Sequence, residues 1–120
     1  MADPGARDQS LLLDMLLAAR DARAFVAGMD KTAFLDSRPH QNAVIRSLEA
    51  IGEAAGNLSA ATRAAVSGLS WSEITGMRRR LIHGYADVDL DIVWSVVTED
   101  LDSLVAALAP LIPPEEAFRE

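Results

Sequence analysis

The chain has 120 residues, a formal net charge of −7 and no cysteine. That length excludes two well-packed domains, and the missing thiols exclude disulfides and thiolate metal sites. The acidic balance excludes a protein that grips nucleic acid over a broad surface. Hydrophobic residues reach 50% while aromatics are only 5%, which favours close helix packing over a sheet. No run approaches the roughly 20 apolar residues of a membrane span, since Leu11–Ala19 is short and interrupted by Asp14. Together with the absence of cysteine, this predicts a soluble, cytoplasmic protein.

Residues 1–9, with Pro4 and Gly5 among charges, read as a flexible N-terminus. From Leu11 the set Leu11, Met15, Ala18, Ala22, Phe25 and Met29 steps by three and four, predicting a helix with that face inward. Asp30-Lys31-Thr32 predicts a turn into a short helix through Leu35, which Arg38-Pro39 breaks. A second long helix is expected from about residue 39–41 to 57, with Val44, Leu48, Ile51, Ala55 and Leu58 inward. Gly52 and Gly56 in it would let a neighbouring backbone come close, at a cost of roughly 1 kcal/mol each against Ala. Ser59 reads as the cap of a short helix over 60–66, closed by Gly68.

Trp71 opens a third main helix, with Ser70 and Glu73 as a capping box and Gly84 as its end. Asp89 caps the last helix, whose stripe is Leu90, Val93, Val97, Leu101, Leu104 and Leu108. The expectation is an all-α, up-and-down bundle of four main helices plus one or two short ones over residues 10–109, followed by a Pro/Glu-rich tail, 110–120.

Arg78-Arg79-Arg80-Leu81-Ile82-His83-Gly84-Tyr85 concentrates the chemistry. An arginine can grip a phosphate, and an imidazole titrates near neutral pH. On an ideal helix, about 100° per residue, Arg78 falls inside the buried arc of Ile74, Met77, Leu81 and Ile82, whereas Arg79, Arg80 and His83 lie outside it. Arg78 therefore calls for a paired acid such as Glu49 or Glu53, a stem reaching to water, or a cleft between two bundles. His83 near a helix C-terminus has a plain account through the helix dipole. His40, in a helix-entry segment, has only a plain account. Arg78 and His83 are five residues apart and point roughly 140° from each other on one helix, so a shared site favours two copies about a two-fold axis. Asp87, Asp89 and Asp91 alternate like a calcium loop, but Ile92 and Thr98 stand where Gly and Glu are needed, so no metal site is expected.

The segments Trp71–Arg78, Leu81-Ile82-His83-Gly84-Tyr85 and Val88–Trp94 closely resemble the HepT-like HEPN ribonuclease toxins. Phe34-Leu35, Gln41, Val44-Ile45-Arg46 and Ile51-Gly52-Glu53-Ala54-Ala55 carry the likeness upstream, over roughly residues 10–108. The resemblance implies a HEPN-type bundle that dimerises and cuts RNA, tRNA or mRNA, without metal or cofactor. It makes His83 the general acid/base that helps the ribose 2′-hydroxyl attack the phosphate, and Arg78 the group that holds that phosphate. It implies as partner an MntA-type nucleotidyltransferase antitoxin of a type VII toxin–antitoxin system, which transfers AMP to Tyr85 and can assemble with the homodimer. Arg79 stands where the family usually has a small polar residue. It and Arg80 are candidate RNA-phosphate contacts. The departure leaves open a non-catalytic HEPN module that binds a nucleotidyltransferase or a nucleotide.

Overall fold

The computed structural model describes residues 5–83, with the backbone alone at 83, and residues 87–112. Helix α1 spans Ala6–Phe25, α2 Lys31–Leu35, α3 Arg38–Gly56 and α4 Ala60–Ala65. Two five-residue helices follow, α5 Trp71–Thr75 and α6 Met77–Leu81. A two-stranded antiparallel ribbon then pairs β1, Ile82–His83, with β2, Asp87–Val88. The chain closes with α7 Leu90–Ser95, a π turn Val96–Asp100, α8 Leu101–Leu108 and a 3-10 turn Ala109–Leu111. The all-α bundle expected from the sequence is the observed fold. Among the described residues no helix is long and apolar enough to cross a membrane.

α1 and α3 run antiparallel and form the main packed pair. α3 turns Val44, Leu48, Ile51 and Ala55 inward, as its periodicity requires, and Leu58 just beyond it is buried too. α1 departs from its expected stripe by about one residue: the buried set is Leu12, Met15, Leu16, Ala19 and Ala22, and Phe25 is 41% exposed. Alanine repeats in α1 are compatible with either phase, and packing against α3 selects one of them. The segment read as flexible is helical from Ala6. Asp8, 8% exposed, accepts hydrogen bonds from the Ser59 backbone N–H and from the hydroxyls of Ser59 and Thr62. These bonds lie behind its depressed pKa, with the Ser59 hydroxyl first and Thr62 second.

The caps at Ser59 and Asp89 form as read, accepting from the N–H groups of Thr62 and Ile92, and Asp30, read only as part of a turn, caps α2 by accepting from Ala33. Ser70 precedes α5, but its side chain makes no capping bond. Gly52 meets its expected role, because a Cβ there would sit 3.0 Å from the Ile74 carbonyl oxygen and 3.0 Å from the Met77 Cβ. Gly56 does not, since a Cβ there meets nothing within 4 Å. The last helix is not one straight stripe. Its π turn inserts an extra residue, so Val96 and Val97 are both buried, while Leu90 is only half-buried. Phe34 and Trp94 stack at 5.3 Å between α2 and α7.

Candidate functional site

The third main helix of the sequence reading is two helices joined at Gly76, and the site depends on that break. Gly76 has φ −89° and ψ 18°, and a Cβ there would stand 3.0 Å from the Ser72 carbonyl oxygen. The Thr75 hydroxyl donates to the Trp71 carbonyl at 2.9 Å, and the Trp71 indole N–H donates to the Val66 carbonyl at 3.0 Å. α6 then restarts and buries Met77 and Leu81, which with Ile74 keep the inner face expected from the sequence. Arg78, expected inside the apolar arc, is instead turned to solvent with its side chain 75% exposed. The arc was drawn too wide rather than out of phase: Ile74, Met77 and Leu81 are buried as expected, but Ile82 lies on β1, and without it Arg78 falls at the arc's edge.

Gly52 lets α6 lie close against α3, which brings Glu49, nearly one turn earlier on α3, within reach of Arg78. The Arg78 Nη1 donates to Glu49 Oε2 at 2.6 Å, and the Glu49 side chain is 33% exposed. A paired acid was among the sequence expectations, but it was expected to be buried. At this exposure the ion pair contributes less than about 1 kcal/mol to stability and mainly orients the guanidinium. Arg78 and Arg79 line an open hollow of about 350 Å³ with Thr75, Gly76 and Ile82. Arg79 is exposed and forms no ion pair among the described residues. Two arginines thus line the hollow, groups suited to an anion, while the one O–H of Thr75 is already given to the Trp71 carbonyl.

Arg80 is not brought to this hollow. It is half-buried and meets Asp100 of the π turn at 3.4 Å, in a separate groove between α5–α6 and α8. Sequence spacing missed this partner, because only the extra residue of the π turn sets the phase at Asp100.

His83 is not at a helix C-terminus. α6 ends at Leu81, and His83 lies on β1 in register with Asp87, directly after the hollow-lining Ile82. The account through the helix dipole is therefore withdrawn. Gly84 and Tyr85 lie outside the described residues. His40 shares a 2.5 Å hydrogen bond with the Ser37 hydroxyl at the entry to α3, consistent with its plain account. The alternating acids have separate contacts: Asp89 caps α7, Asp91 pairs with Lys31 at 2.9 Å, and Asp87 stands opposite His83.

Comparison with known proteins gives a concordant result. The family model described as "Ribonuclease HepT-like" matches residues 15–111, which include the whole arginine–histidine–tyrosine stretch. The chain is 33% identical over 96 residues to "Putative RNase MJ1380" of Methanocaldococcus jannaschii, covering 80% of this chain and 88% of the relative. It is 34% identical over 91 residues to "Putative RNase TTE0752" of Caldanaerobacter subterraneus subsp. tengcongensis, covering 76% and 81%. It is 42% identical over 71 residues to "Probable ribonuclease HepT" of Thermococcus cleftensis, covering 59% and 64%. No solved structure gives a significant match. With its all-α bundle and a family match over most of its length, this chain belongs to the ribonuclease HepT-like family.

Proposed function

We propose that this protein is a metal-independent endoribonuclease, the toxin of a type VII, HepT/MntA-like toxin–antitoxin pair. The observation that carries the reading is Arg78: it lies within the stretch the family model matches, and it is solvent-facing and oriented by Glu49 at the rim of an open hollow. A structural arginine in the same stripe would be buried, as the neighbouring Met77 and Leu81 are.

The chemistry needs little from the protein, because RNA supplies its own nucleophile. His83 as base takes the proton of the ribose 2′-hydroxyl, and the oxygen attacks the adjacent phosphorus. Arg78 holds the non-bridging oxygens as negative charge builds on them, with Arg79 beside it. A proton returned from imidazolium to the departing 5′-oxygen completes the cleavage, leaving a 2′,3′-cyclic phosphate and a 5′-hydroxyl. The incoming phosphate competes with Glu49 for Arg78, so the free site is held in a neutral pair until RNA arrives. Arg80, engaged by Asp100, takes no direct part. A homodimer brings the Arg78 and His83 groups of two copies into one site. AMP on Tyr85, two residues from His83, adds negative charge and bulk where a phosphate would enter.

His83→Ala is expected to abolish both RNA cleavage and growth inhibition while leaving the fold intact. Co-expression with an MntA-type nucleotidyltransferase is expected to add AMP mass to the peptide that carries Tyr85. Retained cleavage by His83→Ala removes His83 from the mechanism. A wild-type protein that yields no cyclic-phosphate ends on tRNA or mRNA is instead a module that binds the nucleotidyltransferase or a nucleotide.

A further inference from the structure

The three consecutive arginines of α6 are placed in three different ways. Met77 and Leu81 face inward. At about 100° per residue, Arg78 and Arg80 flank that inner face on opposite sides, and Arg79 points directly away from it. Arg78 turns to α3 and meets Glu49 at 2.6 Å, and Arg80 turns to the π turn and meets Asp100 at 3.4 Å. Arg79 is exposed and meets no acid among the described residues. In a chain with a net charge of −7, an unneutralised guanidinium between two neutralised ones is a local reversal of sign. An exposed arginine is ordinary by itself. What sets Arg79 apart is that it shares an open hollow with Arg78.

The lining of that hollow runs from Thr75 to Ile82, a rise of roughly 10 Å at helical spacing. Its volume is about 350 Å³, against a share of about 30 Å³ for one water in the liquid, so a phosphorus and its oxygens leave most of it unfilled. The bond to Glu49 draws the Arg78 guanidinium to the α3 side, while Arg79 stands about 100° further round the helix. The two cations therefore serve different parts of the hollow. A strand carrying successive phosphates engages both, whereas a lone phosphate held by Arg78 leaves Arg79 idle.

We propose that Arg79 forms a second phosphate subsite, which takes the phosphate next to the one held by Arg78. The hollow then binds two successive phosphates of one strand. Taking that strand as RNA rests on the ribonuclease reading, while the subsite itself rests on the two cations and their common hollow. Arg79 contributes affinity for a chain rather than for a mononucleotide, and it makes an internal linkage a better substrate than an isolated one. Arg80 supplies no third subsite, because Asp100 holds it in the separate groove beside α8.

The test compares a ribodinucleotide, which has one linking phosphate, with the same dinucleotide bearing a further phosphate at its 5′ or its 3′ end. For the wild-type protein, one of the two added phosphates should raise kcat/KM by roughly tenfold. Arg79→Ala should abolish that preference, and Arg79→Lys should keep much of it because the charge remains. Arg78→Ala should instead lower cleavage of all three substrates by a common factor. Arg79 is exposed, so its variants retain the fold. Binding gives a readout independent of cleavage. For a thymidine octanucleotide, which lacks the 2′-hydroxyl, the slope of log affinity against log salt should shrink by roughly 0.7 in Arg79→Ala, the share of one single-strand phosphate. Where dinucleotides are too short to be cut, this slope decides. A wild-type protein that cuts the dinucleotide but ignores both added phosphates overturns the proposal, as does an Arg79→Ala variant with an unchanged preference or salt slope. A wild-type protein that cuts no RNA, while Arg79→Ala still shrinks the slope, removes the ribonuclease reading alone.

Discussion

Two carboxylates each tie one helix to another in this molecule, in opposite surroundings. Asp8 is almost fully buried and accepts three hydrogen bonds from Ser59 and Thr62, fastening the start of α1 to α4. Glu49 is a third exposed and holds a guanidinium that is itself three-quarters in water. Every donor around Asp8 is a neutral protein group, so its bonds stabilise the fold and leave nothing for a ligand. Arg78 has donors beyond the one given to Glu49, and it keeps access to solvent. Burial with neutral partners marks a structural polar group here, whereas an exposed, oriented cation has the access to solvent that the proposed binding role requires.

The sharpest way to break this comparison is Arg78→Ala. RNA cleavage is expected to fall by about 100- to 1000-fold, read from the rate of cyclic-phosphate formation, while stability changes by less than about 1 kcal/mol. A large loss of stability would make Arg78 a structural residue like Asp8. Gly52→Ala is the complementary change. Its methyl would meet the Ile74 carbonyl oxygen and Met77 Cβ at 3.0 Å, pushing α6 away from α3. Chemical denaturation should show a loss of about 1–3 kcal/mol, with cleavage falling as well because the Arg78–Glu49 contact is displaced.

Asp8→Asn should lower the melting temperature at neutral pH without touching cleavage in the folded protein. Its pKa is depressed in the folded state, whereas the unfolded chain takes up the proton near the usual aspartate value of about 4. The unfolded state thus binds more protons in that window. The stability contributed is present above it and is lost as pH falls through the folded value. The gap in melting temperature between wild type and Asp8→Asn should accordingly be wide at neutral pH and close below about pH 4. The smallest effect belongs to Glu49→Gln, which keeps a hydrogen-bond acceptor beside Arg78. Stability should shift by less than about 1 kcal/mol, and tighter binding of RNA would be the sign that Glu49 competes with the phosphate.

The helices with strong periodicity were legible from residues alone. α3 repeats apolar positions with few small ambiguous ones on its inner face, so its stripe could be read directly, and Ser59 and Asp89 signalled helix starts through side chains that bond the next turn. α1 was legible as a helix but not in phase, since Ala18, Ala19 and Ala22 fit a core or a surface equally well. The motif stretch was legible as chemistry and was misread as geometry. Ile74, Met77 and Leu81 keep the expected inner face across Gly76, but the helix stops at Leu81 and the short β ribbon takes Ile82 and His83 out of the helical count.

By itself, the sequence determined the all-α class, the caps at Ser59 and Asp89 and the concentration of arginines beside His83, because these follow from periodicity and local hydrogen bonding within a few residues. Only the tertiary structure decided that Arg78 faces water against Glu49, that Arg80 is engaged by Asp100, and that the start of α1 is tied to α4. Each of those depends on how two distant segments meet: the approach of α6 to α3 at Gly52, the extra residue of the π turn, and the bonds between Asp8 and Ser59. Local pattern carries no information about the distance or phase between such segments until packing brings them together.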